Sequence, residues 1–99
     1  MKIMVLPRAR EGVSREAMEE HAAAEIQAVW DLYAQGVARE LYTRAGQPGR
    51  VVLMVESASL EAAREALATL PFVQLGLIDL ELIPLGPFTG LSRLFQRAS

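Results

Sequence analysis

The chain predicts a ferredoxin-like α+β fold, a β-α-β-β-α-β arrangement, and three observations carry that prediction. Apolar residues recur at helical spacing in two separated segments. Short β-type runs flank and separate those segments. A Gly46-Gln47-Pro48-Gly49 turn joins two of the runs into a hairpin. Right-handed crossovers then place the strands in the order 4-1-3-2, with both helices on one face of an antiparallel sheet.

Lys2 to Leu6 reads as the first strand, ended by Pro7. Ser14 is a good N-cap for a long helix, Glu16 suits its first turn, and Gly36 stops it after Gln35. Val37 to Ala45 and Arg50 to Glu56 form the hairpin, with Pro48 and Gly49 at the centre of a type II turn. Closing the hairpin with Ala45 opposite Arg50 sets Arg39 against Glu56 and Tyr42 against Leu53. Ser57 or Ser59 caps a second helix whose Leu60, Ala63, Leu67 and Leu70 share a face, and Pro71 closes it. After a loop over Phe72 to Gly76, Leu77 to Ile83 forms the last strand, stopped by Pro84. Residues 1–86 therefore make one domain, and 87–99 a tail. Phe88, Leu91, Leu94 and Phe95 are too apolar for a free terminus, so the tail is expected to dock on the domain or across a subunit boundary.

Composition narrows the function. An apolar share of 52% is high for 99 residues, more than so small a monomer hides. The third strand is apolar on both faces, and so is much of the fourth. A second copy packed sheet against sheet is the simplest cover, giving a homodimer or a higher homo-oligomer. Twelve acidic against ten basic residues, with no basic block, argue against nucleic acid as a partner. The absence of cysteine excludes disulfides and thiolate chemistry, and a single histidine has no ligand-spaced cluster for a metal. No apolar run approaches the ~18 residues that span a bilayer, and no signal-peptide pattern opens the chain. A cytoplasmic protein without membrane association is the expectation.

Glu25 is the residue that points to chemistry. Met18, Ala22, Ile26, Val29, Leu32 and Tyr33 gather on one stripe of the first helix, and Glu25 projects into the middle of it. A carboxylate among apolar groups is paired, hydrogen-bonded, or held protonated with a raised pKa, which suits a general acid or base. A structural ion pair with an arginine is the competing reading. His21 lies four residues earlier, where it can orient Glu25 or share its proton, or else form a surface pair. Arg39 on the edge strand is a cation for a developing enolate or a carboxylate substrate, or a solvated edge charge. Trp30 and Tyr33 wall a pocket or fill core, Tyr42 sits on the edge strand, and Asp79 lines an inter-sheet cavity or meets an arginine at the dimer contact.

The element order, the helix-one Glu25 and the run Gly36-Val37-Ala38-Arg39-Glu40-Leu41-Tyr42 resemble muconolactone isomerase. So do the Leu70-Pro71-Phe72 helix stop and the last strand with Asp79. The resemblance covers about residues 2 to 85. It implies the dimeric α/β-barrel superfamily, in which two sheets pack into one barrel with a pocket in each protomer. By alignment Glu25 falls on a helix-one glutamate of that family, and Arg39 on an arginine after the glycine. Ala38 and Glu40 depart from the larger aromatic and histidine side chains usual there. The expected activity is cofactor-independent proton transfer on a small lactone or carbonyl compound. Glu25 is the base, Arg39 steadies the enolate-like charge and His21 orients the acid, while Trp30, Tyr33, Tyr42 and Asp79 contact substrate. Two alternatives stand beside it: a non-catalytic small-ligand-binding or accessory barrel, and a cofactor-independent monooxygenase of the same superfamily.

Overall fold

The computed structural model describes residues 1–96. The chain runs β1 (Lys2–Ala9), α1 (Arg15–Ala34), β2 (Ala38–Thr43), β3 (Val51–Glu56), α2 (Leu60–Leu67), α3 (Pro71–Gln74) and β4 (Ile78–Leu85). A 3₁₀ segment (Thr89–Phe95) ends it. The four strands form one antiparallel sheet in the order β2-β3-β1-β4, the expected ferredoxin-like topology.

Alternation sorts the side chains onto two faces. Ile3, Val5, Leu53, Val55, Ala38 and Ile78 are buried beneath the helices, together with Leu32 of α1, Ala63 and Leu67 of α2, and Leu70. The opposite face carries Met4, Leu6, Val52, Met54 and Ile83, all half-buried, with Leu85 exposed. Lys2, Arg8, Glu56, Asp79 and Glu81 lie around them on the same face. An apolar centre with a charged border is the composition of an association surface.

Several local expectations are corrected. β1 continues past Pro7 to Ala9, because from Leu6 onward it pairs with β4 alone and a missing donor is tolerated beside an unpaired flank. Likewise Pro84 lies within β4, which is an edge strand. Pro71 does not close α2; it opens α3, since its fixed φ and absent N–H suit a first helical position. The hairpin closes one residue differently, with Thr43 opposite Val51, Tyr42 opposite Val52 and a bulge between Ala38 and Glu40. Arg39 is the bulged residue and does not oppose Glu56, whose carboxylate lies 3.5 Å from the amino terminus. The shift has a visible cause. Two successive turns close the loop: Gln47 N–H bonds Arg44 O, with Gly46 at φ 73°, and Arg50 N–H bonds Gln47 O, with Gly49 at φ 82°.

The tail does not fold back. Phe88, Leu91, Leu94 and Phe95 are 76%, 55%, 75% and 82% exposed. The radius of gyration is 16.7 Å, against about 13 Å for a compact chain of this length. The expected docking of the tail is therefore not made within the protomer; residues 97–99 lie outside the described residues. No described helix is long and apolar enough to cross a membrane.

Candidate active site

Helix α1 meets the sheet only along part of its length. Leu32 is buried and Val29 packs on the core, but Ile26 is 69% exposed and Tyr33 46%, so the apolar stripe is less complete than its spacing predicts. Between residues 18–29 of α1 and the sheet lies a cavity of about 500 Å³. Met18, Ala22, Glu25, Ile26 and Val29 form its helical wall. Leu41, Thr43, Val51 and Leu53 form its sheet side, and Leu70, Phe72 and Ile78 close one end.

Glu25 is 9% exposed, the one charged side chain buried among the described residues. Its Oε1 accepts a hydrogen bond of 2.9 Å from the backbone N–H of Phe72. The local sequence explains this partner. Leu70 stands at the N-cap of α3 and offers no side-chain acceptor, and Pro71 has no N–H, so the Phe72 amide is an orphan donor that Glu25 satisfies. Burial pushes the Glu25 pKa above the ordinary carboxylate value, and the Phe72 hydrogen bond pulls it partly back. Among the described residues no basic side chain lies within ion-pair distance of Glu25. The carboxyl is therefore hydrogen-bonded on one oxygen, unpaired in charge, and set in a cavity wall.

The other expected site residues are elsewhere. His21 approaches Glu20, at 4.0 Å, and does not line the cavity, because the wall is made by the positions flanking it on the helix. Arg39 folds back so that its Nε donates to the carbonyl of Gly36, a consequence of the bulge that turns it off the strand register. Trp30 and Tyr33 stack with ring centroids 5.5 Å apart and are largely exposed. With Arg39, Glu40, Leu41 and Tyr42 they border a separate shallow depression. Tyr42 lines both that depression and the Glu25 cavity. Its hydroxyl donates to Glu40 at 2.6 Å, and this bond and the Glu40 charge raise its pKa. Asp79 accepts from Arg10 Nε at 2.8 Å within the chain, and it also lines a cavity on the helix-free face.

The sequence reading missed Arg8 and Arg50, which line the cavity at the Ala9 end of β1 and the start of β3. The signal for them was Pro7. A proline in a central strand marks the place where one neighbour stops, and the flanking residues there are free to border a gap. No group of three or more His, Asp or Glu among the described residues has metal-holding geometry.

Neither a family model nor a curated protein matches the sequence. Among solved structures, the chain is similar to 5-chloro-2-hydroxyhydroquinone dehydrochlorinase (TftG) from Burkholderia phenoliruptrix AC1100, in complex with 2,5-dihydroxybenzoquinone. The match has a TM-score of 0.69 at 16% identity, over 91% of this chain and 98% of that one. The At3g17210 protein of Arabidopsis thaliana aligns over 87% of this chain and 93% of its own at 22% identity, with a TM-score of only 0.40. The TftG likeness supports the fold class, a ferredoxin-like α+β protomer with a four-stranded antiparallel sheet.

Proposed function

We propose that the protein is a small enzyme that moves a proton on a ring compound bearing a carbonyl or lactone group, with Glu25 as the acid–base group. One observation carries this reading: a carboxyl 9% exposed, unpaired in charge, and raised in pKa stands in the wall of a cavity of about 500 Å³. As carboxylate, Glu25 takes a proton from the carbon next to the carbonyl, leaving an enolate. As the acid, it returns the proton at another position of the conjugated system. Desolvation strengthens it as a base, and the Phe72 amide holds one oxygen so that the other is free to face substrate. The fold likeness to a dehydrochlorinase of a hydroxylated ring is consistent with a substrate of this size and type. No cofactor is invoked.

Two copies are part of the proposal. The half-buried Met4, Leu6, Val52, Met54 and Ile83 face nothing in the protomer, and the tail carries four exposed apolar side chains away from it. Pairing of the helix-free faces covers the first, and a partner surface receives the second.

One observation favours a non-catalytic ligand-binding barrel instead: satisfying Phe72 N–H is a sufficient structural duty for Glu25. Deuterium incorporation separates the two. A panel of small ring ketones and unsaturated lactones in D₂O, followed by proton NMR, is expected to lose signal at the carbon next to the carbonyl for at least one member. Glu25→Gln is expected to slow that loss by about 10²-fold or more. Binding of panel members with no exchange above the buffer rate supports the binding barrel.

A further inference from the structure

The chain's one tryptophan and both of its tyrosines stand outside the core, Trp30 57% exposed, Tyr33 46% and Tyr42 55%. All three border one shallow depression of about 420 Å³ at the outer edge of β2. Trp30 and Tyr33 are three residues apart on α1, which sets their rings on one helix face, 5.5 Å between centroids and tilted by 30°. Leu41 adds an aliphatic side chain between them and the strand. Amphipathic rings gathered at the surface mark a recognition site more often than a solvated helix face.

The strand supplies polar groups of both kinds. Consecutive residues of a regular strand point to opposite faces, but the bulge between Ala38 and Glu40 brings Arg39 and Glu40 to the same depression. Arg39 Nε donates to the Gly36 carbonyl, which fixes the guanidinium at the end of α1 and leaves its terminal nitrogens as donors. Glu40 Oε2 accepts from the Tyr42 hydroxyl at 2.6 Å, which leaves Glu40 Oε1 and the Tyr42 oxygen as acceptors. Among the described residues neither Arg39 nor Glu40 has an ion-pair partner, so the edge carries one charge of each sign. Such an edge favours neither anion nor cation. It suits a neutral ligand with an apolar face for the rings and several hydroxyls for the strand.

We infer that Trp30, Tyr33, Arg39, Glu40 and Tyr42 form a carbohydrate site that takes a neutral pyranose. The C–H face of the sugar lies on the Trp30 and Tyr33 rings, and its hydroxyls meet the Arg39, Glu40 and Tyr42 groups. A flat aromatic ligand would use the rings and leave the polar edge unmatched, and a ligand bearing a phosphate would meet the Glu40 charge. The site is separate from the Glu25 cavity, with which it shares Leu41 and Tyr42 at the border, and it does not depend on reading that cavity as catalytic.

Trp30 is the only tryptophan, so its indole N–H gives a single resonance that reports on the depression. The methyl pyranosides of glucose, galactose and mannose serve as probes, with sorbitol as a polyol that has no ring face. At least one pyranoside is expected to shift the indole signal saturably, with a Kd on the order of 1–10 mM, while sorbitol leaves it unmoved. Glu40→Gln is expected to weaken that binding about tenfold, because a charged acceptor is lost. Trp30→Ala, read on the Leu41 amide, is expected to abolish it with the thermal melt preserved, since the ring is largely exposed. Glu25→Gln is expected to leave it within about twofold. No saturable shift from any of the three pyranosides up to about 100 mM overturns the inference, as does an equal response to sorbitol or binding that survives Trp30→Ala. Loss of binding in Glu25→Gln places the sugar in the other cavity and overturns it too. An indole signal that moves with protein concentration and with no pyranoside assigns the patch to a second copy, again against the inference.

Discussion

The carboxyl of Glu25 and the backbone N–H of Phe72, 47 residues apart in sequence, meet at 2.9 Å and tie α1 to the first turn of α3. The bond spends only one lone pair of one oxygen. It fixes the carboxyl without neutralising it, which a guanidinium partner would have done.

A pH-dependent stability difference follows from that arrangement. The folded-state pKa of Glu25 is raised, so its contribution is fully present below the unfolded-state pKa of about 4.3 and lost as pH rises through the folded value. Glutamine does not titrate, and its side-chain oxygen can still accept from Phe72. Thermal melts of Glu25→Gln are expected to match wild type near pH 4 and to exceed it at pH 8 by on the order of 1 kcal/mol. A large loss of stability at pH 8 would show that Glu25 has an essential charged partner.

His21 is expected to be dispensable. It lies off the cavity wall and its nearest acid is Glu20. His21→Asn is expected to leave the exchange rate within about twofold and the pH profile unmoved. A shifted profile would place the imidazole back in the proton path.

The hairpin turns offer a test of the register. Gly49 sits at φ 82°, and a Cβ there meets nothing within 4 Å, so Gly49→Ala isolates the backbone conformation. Its expected cost is about 1 kcal/mol by chemical denaturation. Gly86→Ala, also in open space but without a positive φ, is expected to be neutral or to stabilise by up to about 1 kcal/mol. Equal effects at the two positions would contradict the turn geometry.

The assembly is tested by charge and by truncation. Met54→Lys places an ammonium at the centre of the helix-free face. Light scattering is expected to give an oligomer for wild type, with more than ~1,200 Å² buried per pair, and a monomer for Met54→Lys. Removal of residues 87–99 is expected to weaken the oligomer or lower solubility. A wild-type monomer at micromolar concentration would contradict the sheet-to-sheet pairing.

Element order and strand order were legible in the sequence because periodicity and turn chemistry are local. Ser14 and Ser59 cap the helices, each accepting an amide three residues on. Glu25 stood out for the same reason: its offset within one helix stripe needs no tertiary knowledge. Its partner was not legible, since the Phe72 amide becomes an acceptor-seeking group only when Pro71 starts a helix and α3 packs against α1. Arg39 was misplaced by a bulge, which changes side-chain direction without changing composition. Arg8 and Arg50 escaped notice because the split between β1 and β3 is a property of paired lengths, and those depend on where two distant strands diverge.

The central claim is that Glu25 is a desolvated, unpaired carboxyl poised for proton transfer. Carbon-13 NMR titration of the side-chain carboxyls, with the Glu25 resonance assigned by its loss in Glu25→Gln, measures this directly. A midpoint clearly above the ordinary glutamate value of about 4.3, moved neither by Arg39→Gln nor by His21→Asn, is the predicted result. A midpoint at or below that value would mean that Glu25 is solvated or ion-paired, and would contradict the account.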